Sequence, residues 1–229
     1  MTQEEAKLEV ARAALAFLPE HGVIGLGSGS TAKLFIDEVG KLVKRGRKLV
    51  GVATSDGSRD QARSLGIPLL DDEGPWDIEV TVDGADEVSA ELDLIKGGGG
   101  AQTREKIVNF ASRQNVIIVD ESKLSRELGE KWPIPIEVLA FAHRETARAL
   151  ERFGVVTQRR KKDKPDPFKT DAGNFIYDVR TKSPIVQPAT IEAELAAIPG
   201  VVSTGLFVGR ANRVLVAGAN GVRELLTGV

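Results

Sequence analysis

Between residues 20 and 120 the chain repeats one pattern that few folds accommodate. A short run of branched apolar residues ends in glycine, serine or aspartate, and a stretch with helical spacing follows. Strands are expected at 23–26, 48–53, 67–70, 77–82 and 116–119. Helices are expected between them at 30–44, 58–65 and 102–112. An opening helix over 4–18 carries Leu8, Ala11, Leu15 and Leu18 on one face and is closed by Pro19 and Gly22. Strands joined by helices run parallel and are covered on both faces. The fold class expected is therefore α/β, with a mainly parallel, doubly wound sheet. Only 5% of the residues are aromatic, so Val, Ile, Leu and Ala must build the core.

Near Trp132 the rhythm changes. Pro133 and Pro135 interrupt it. Strands and helices then follow in the order β-α-β-β-α-β: a strand through Ile136 and Val138, a helix over 144–153, strands from Val155 and over 175–179, a helix over 188–198 and a strand from Val201. That order is the ferredoxin-like split βαβ pattern. It predicts a smaller α+β domain at 131–205, inserted in an α/β domain made of 1–130 and 206–229. The last strands, 206–208 and 214–217, are expected to return to the first sheet. No internal repeat is visible.

Three glycine- or acid-rich loops stand where such a fold binds ligands. GLGSGST (25–31) lies between a strand and a helix, so glycine permits close backbone approach and the helix start offers unpaired N–H groups to an anion. Its sixth position is Ser30, not the glycine of a dinucleotide fingerprint, and no Gly-Lys-Ser/Thr follows as in a P-loop. A phosphate on a small metabolite fits better than a nucleotide; a tight turn capped by Ser30 or Thr31 is the plainer alternative. DGADE (83–87) follows a buried-looking strand. Its carboxylates can accept bonds from substrate hydroxyls, act as acid and base, bind Mg²⁺, or simply form a polar turn. KGGGG (96–100) costs backbone entropy and offers N–H groups that can hold an oxyanion. Glu105 near the next helix start can face the same pocket or serve only as a helix-stabilising acid. Lys123 after 116–119 can place a cation at the same sheet edge, although a plain exposed lysine is the better reading from position alone. The basic run 159–164 reads as a solvated loop.

What is missing narrows the chemistry. There is no cysteine and there are only two histidines, in no metal-binding pattern, so thiol nucleophiles, Cys-ligated metals and a His-rich metal site are excluded as working hypotheses. No serine sits in a Gly-x-Ser-x-Gly elbow. The formal charge of −2 argues against a nucleic-acid partner. No apolar run approaches the roughly 20 residues that span a bilayer, and residues 1–9 have no signal-peptide core, so a soluble cytoplasmic protein is expected. Acid–base work falls to carboxylates and lysines.

Taken together and in order, the segments GLGSGSTA (25–32), TSDGSRDQARSLGIPLLD (54–71), VDGADE (82–87), LIKGGGGAQTREKIV (94–108), VDESK (119–123), LGEKWPIPIEV (128–138) and IPGVVSTGLFVGRA (198–211) closely resemble the type A ribose-5-phosphate isomerase family. The resemblance covers nearly the whole chain. It implies interconversion of ribose 5-phosphate and ribulose 5-phosphate in the pentose phosphate pathway, with no metal or organic cofactor. It also implies a homodimer or a dimer of dimers. Carried over by position, Glu105 is the general base, and Asp83, Asp86 and Lys96 contact sugar hydroxyls and assist ring opening. Gly97, Gly98 and Gly99 line the site with Gly84 and Ala85. Ser28, Gly29, Ser30 and Thr31 bind substrate, with their hydroxyls near the phosphate. Lys123 and Lys7 match substrate-binding lysines. Position 28 is often Thr in the family and is Ser here, which keeps the hydroxyl. The loop 159–170 is more basic and longer than in some relatives and is expected to lie far from these motifs. The rival reading is a non-catalytic sugar-phosphate sensor on the same scaffold, but no helix-turn-helix precedes residue 20.

Overall fold

A computed structural model describes residues 2–226. Met1 and residues 227–229, included in the domain range expected above, lie outside the described residues. In chain order the elements are α1 (Gln3–Ala13), β1 (His21–Leu26), α2 (Gly29–Lys44), β2 (Lys48–Ala53), α3 (Asp56–Ser64), β3 (Ile78–Asp83), β4 (Glu87–Val88), β5 (Leu94–Ile95), α4 (Gln102–Ala111) and β6 (Ser112–Asp120). There follow β7 (Ile134–Val138), α5 (His143–Leu150), β8 (Gly154–Gln158), β9 (Phe175–Thr181), α6 (Pro188–Ala196), β10 (Val201–Thr204), β11 (Leu206–Phe207), β12 (Arg213–Gly218) and β13 (Gly221–Leu226). The chain divides into two compact units. Unit 1 is Met1–Ala85, Arg104–Lys123 and Arg210–Val229; unit 2 is Asp86–Thr103 and Leu124–Gly209.

Unit 1 holds a six-stranded sheet in the order β13-β12-β6-β3-β1-β2. All neighbours run parallel except the β12–β13 hairpin. One face packs Ile24, Leu26, Val80, Val82, Val116 and Ile118 against Val10 of α1 and Phe35, Ile36 and Val39 of α2. Each such side chain fully buried contributes about 1.5–3 kcal/mol. Val23, Val52 and Ile78 meet Val108 and Ala111 of α4 in a separate cluster. Thr2 caps α1 through a reciprocal pair with Glu5, whose carboxylate accepts from the Thr2 N–H.

The order of the sheet fixes where a ligand can bind. From β1 the chain moves to β2 on one side, then returns to place β3 on the other. The C-terminal ends of β1 and β3 therefore flank a topological switch point, the crevice where open α/β sheets take their ligands.

Unit 2 contains a four-stranded antiparallel sheet, β10-β7-β9-β8, with α5 and α6 in the connections. This is the strand order of the split βαβ pattern. A second, three-stranded antiparallel sheet, β11-β5-β4, belongs to the same unit. Ile95 and Leu206 from it join Leu128, Ile134, Ile136, Val138, Tyr177 and Val179 in one apolar cluster.

Several boundaries differ from the sequence reading. Residues 86–103 and 124–130 pack in unit 2, not with the parallel sheet. The cause is visible at Glu87, fully buried, whose carboxylate accepts the backbone N–H groups of Gly129, Lys131 and Trp132. Strand 206–208 pairs with β5 and does not return to the first sheet; the expected strand 214–217, within β12, does, and β13 adds to it. The expected strand 67–70 reduces to one bridge between Leu69 and Gly51, since Pro68 has no N–H to extend the ladder. Helix α1 stops at Ala13 and tightens into a 3₁₀ turn, Ala14–Phe17. No helix among the described residues is long and apolar enough to cross a membrane.

Candidate active site

In unit 1 the switch point is organised around one carboxylate. Asp83, the last residue of β3, is 3% exposed. Its Oδ1 accepts the N–H of Ser28 at 2.9 Å and that of Gly84 at 2.8 Å. The loop after β1 is thereby tied to the loop after β3, and the Gly27 N–H adds a bond to the Val82 carbonyl at 3.0 Å. Only glycine fits at position 27. A Cβ there would stand 2.2 Å from Asp83 Oδ1 and 2.6 Å from its Cα. Gly29 adopts a φ of +88° at the start of α2.

Ser28 is the N-cap of α2, but its hydroxyl does not cap. It bonds Thr54 Oγ1 at 2.6 Å, just beyond β2. Ser58 closes the cradle from α3 by donating to the Gly27 carbonyl at 2.6 Å. Gly29 and Ser30 stay exposed and Thr31 is half-buried. The result is a helix start with accessible N–H groups and hydroxyls, suited to an anion.

β6, α4 and α1 carry further charged candidates in unit 1. β6 ends at Asp120 and runs into a 3₁₀ turn, Glu121–Lys123, so Lys123 follows a strand adjacent to β3. Burial tends to raise the Asp120 carboxyl's pKa. Hydrogen bonds from Ser122 and Gln3 and the charge of Lys123 outweigh it and hold the group below its ordinary value. Glu105 lies in the first turn of α4 and is 5% exposed. The preceding residue, Arg104, reaches Asp56 at the start of α3 at 2.7 Å, which anchors that helical turn beyond the end of β2. Lys7 is half-buried on α1 and pairs with Glu4 at 2.7 Å.

Unit 2 carries the other group of candidate residues. Asp86 Oδ2 accepts the N–H of Gly98 at 2.6 Å, and the Asp86 N–H bonds the Ile95 carbonyl at 2.8 Å. Lys96 is 3% exposed, follows β5, and bonds the Gly205 carbonyl through its backbone. Its Nζ stands 5.6 Å from the centroid of the Phe207 ring, which suits a cation over an aromatic face. The run 97–100 is a turn closed by the Gly100 N–H on the Gly97 carbonyl at 2.9 Å. Gly97 and Gly100 have φ values of +97° and +81°, and a Cβ on Gly98 would press into the Asp86 carboxylate. Gly98 and Gly99 are exposed; Lys96 and Gly97 beneath them are buried.

The three carboxylates of DGADE thus have separate partners: Asp83 in the phosphate-type loop, Asp86 in the glycine turn and Glu87 in a structural pocket of backbone donors. Among the described residues no cluster of three acidic or histidine side chains is arranged to hold a metal ion. Sequence reasoning misplaced one residue. Arg159, counted with a solvated basic run far from the motifs, is only 16% exposed and lies on the glycine turn, donating to the carbonyls of Gly97 at 2.8 Å and Gly98 at 3.1 Å.

Known proteins resemble the chain in sequence and in fold. The family model for ribose 5-phosphate isomerase A (phosphoriboisomerase A) matches residues 50–221. A ribose-5-phosphate isomerase A from Desulfatibacillum aliphaticivorans is 44% identical, over 98% of this chain and 99% of that one. One from Chloroflexus aurantiacus is also 44% identical, over 98% and 94%. A D-ribose-5-phosphate isomerase solved in complex with phospho-erythronic acid superposes with a TM-score of 0.95 at 40% identity, covering 99% of this chain and all of that one. The ribose 5-phosphate isomerase A of Methanocaldococcus jannaschii superposes with a TM-score of 0.92 at 42% identity, over 98% of this chain and 100% of that one. With sequence and fold both matched end to end, the chain belongs to the ribose 5-phosphate isomerase A family.

Proposed function

We propose that the chain interconverts D-ribose 5-phosphate and D-ribulose 5-phosphate through an enediolate, with Glu105 as the base that moves the proton. The C2 proton of the open-chain aldose is acidic only because the neighbouring carbonyl takes up the charge. Glu105 removes it and returns it to C1; one carboxylate suffices because the two carbons are adjacent. Its burial on an anchored helical turn is the observation that carries this reading. A carboxylate shielded from water does not surrender the proton to solvent between abstraction and return.

The other roles follow from chemistry. Lys96 and the N–H groups of Gly97 and Gly99 stabilise the oxyanion, an effect of about 3 kcal/mol for a well-placed donor, while the Gly98 N–H holds the Asp86 carboxylate at the site. Asp83 or Asp86 moves the hydroxyl protons, both in ring opening and from O2 to O1 of the enediolate, with Gly84 and Ala85 lining the substrate. Ser28, Gly29, Ser30 and Thr31 hold the phosphate, aided by Lys123 and Lys7. Binding energy gathered at the phosphate, remote from C1 and C2, orients the reacting end. The reading extends to a homodimer in the cytoplasm, with a phosphorylated pentose as its partner, no nucleic acid, and no metal or organic cofactor.

The test is direct. Purified protein is mixed with ribose 5-phosphate in EDTA and ketose formation is followed. Turnover is expected. Its absence with retained ribose 5-phosphate binding favours a sensor and overturns the isomerase reading; turnover abolished only by EDTA overturns the metal-free mechanism.

A further inference from the structure

We infer that Arg159 is a positioning residue that aims the N–H groups of the glycine turn. Residues 97–100 carry no side chains, so nothing of their own packs them in place, and glycine loses the most backbone freedom on ordering. The Arg159 guanidinium supplies the missing restraint. Its Nη1 donates to the carbonyls of Gly97 and Gly98, at 2.8 and 3.1 Å. Its Nε and Nη2 grip the Asp178 carboxylate on β9, the first at 2.9 Å. One rigid planar fork thus ties the turn to the antiparallel sheet. The far end of the turn is covered by the segment Arg159 opens. Phe168 bonds the Arg159 carbonyl through its N–H at 2.9 Å, and its ring lies where a side chain on Gly100 would be.

Peptide geometry converts this grip into an effect on the reacting side. In a trans peptide the carbonyl and the following N–H point in opposite directions. Gly74–Pro75 is the only cis bond among the described residues. Holding the Gly97 carbonyl therefore sets the Gly98 N–H, which meets Asp86 Oδ2 at 2.6 Å. Holding the Gly98 carbonyl likewise sets the Gly99 N–H. Donation to each carbonyl also polarises its peptide, making the N–H a stronger donor. Neighbouring Lys161, Lys162 and Lys164 are exposed and have no such role.

The inference rests on the isomerase reading, and three readouts separate the two. In Arg159→Gln, kcat for ribose 5-phosphate is expected to fall about tenfold to a hundredfold, with KM within about twofold. The inhibition constant of phospho-erythronic acid, whose carboxylate mimics the planar enediolate, should rise by a comparable factor. Arg159→Lys should recover part of the loss, since an ammonium can meet one carbonyl. Amide exchange at Gly98 and Gly99 should quicken about tenfold in Arg159→Gln, and this is read whether or not the protein turns over. Wild-type-like kcat and inhibition in a folded variant overturn the inference, as does unchanged exchange or a loss confined to the thermal midpoint. If Arg159→Gln does not fold, Asp178→Asn removes the charge that aims the guanidinium; a several-fold fall in kcat is expected, and an unchanged kcat overturns the inference. Absent turnover in the wild type counts against the isomerase reading alone, and exchange then decides for Arg159.

Discussion

The two loops at the switch point approach each other closely in unit 1, and a single methyl group tests that contact. In Gly27→Ala the added Cβ would lie 2.2, 2.4 and 2.6 Å from Asp83 Oδ1, Cγ and Cα. Rotating the carboxylate relieves the first two contacts but not the third, which is with backbone. Ordinary contact begins near 3.4 Å, so the loops must part by about 1 Å. Overpacking of this kind costs about 1–3 kcal/mol. Parting the loops also strains the 2.9 Å bond from the Ser28 N–H to Asp83, a charge-assisted bond worth about 1.5–3 kcal/mol. The sum, about 2.5–6 kcal/mol, corresponds to about 5–24 °C of thermal midpoint for a chain of this length. A displacement of about 1 Å at a reacting group also costs about a hundredfold in kcat.

Gly29→Ala is the control. Its Cβ meets nothing within 4 Å, so the cost is the positive φ alone, about 1–2 kcal/mol. Thermal unfolding by circular dichroism and ketose formation at 25 °C measure both variants. Gly27→Ala should be the more damaged by both measures. A midpoint for Gly27→Ala equal to or above that of Gly29→Ala would refute the reasoning.

Other consequences follow from groups outside the site. Glu87→Gln turns an amide NH₂ toward one or more of three backbone donors, so it should cost about 2–4 kcal/mol in urea unfolding. Gln102 is fully buried and neither end of its amide has a hydrogen-bond partner among the described residues, so Gln102→Met should raise stability by about 1–2 kcal/mol in the same measurement. Burial raises the Asp93 pKa above its ordinary 3.8, reinforced by Glu91 and Glu192 and partly offset by the Gly209 N–H. The ionised form is therefore the costly one in the folded state. Asp93→Asn keeps an acceptor for Gly209 and should raise the thermal midpoint at pH 7, and the advantage should vanish as pH falls through the raised pKa toward 3.8.

The parallel sheet was legible because its signals are local. Each strand of unit 1 from β1 to β3 is a run of branched residues punctuated by glycine or aspartate, and the same punctuation marks the ligand loops. Edge elements carried weaker signals. β4 and β5 are two residues long, too short for alternation to register, so the second sheet of unit 2 was invisible and the unit boundary fell late. β13 is an exposed edge strand opened by Gly221, and its polar pattern resembles a tail. Arg159 was missed for a different reason. A charge run reads as solvated, and the carbonyls that recruit this one arginine stand about sixty residues away in sequence. For Glu105, spacing allowed a base or a helix-stabilising acid equally. The resemblance assigns the role; the structure adds that the side chain is buried.

The central claim is that one shielded carboxylate carries the proton between adjacent carbons. Measuring kcat of Glu105→Gln with ribose 5-phosphate tests it most directly, with the fold checked by thermal unfolding. The account predicts a loss of about 10²–10⁴-fold with the protein still folded. A loss below about tenfold in a folded variant would contradict it, since a general base contributes more than that.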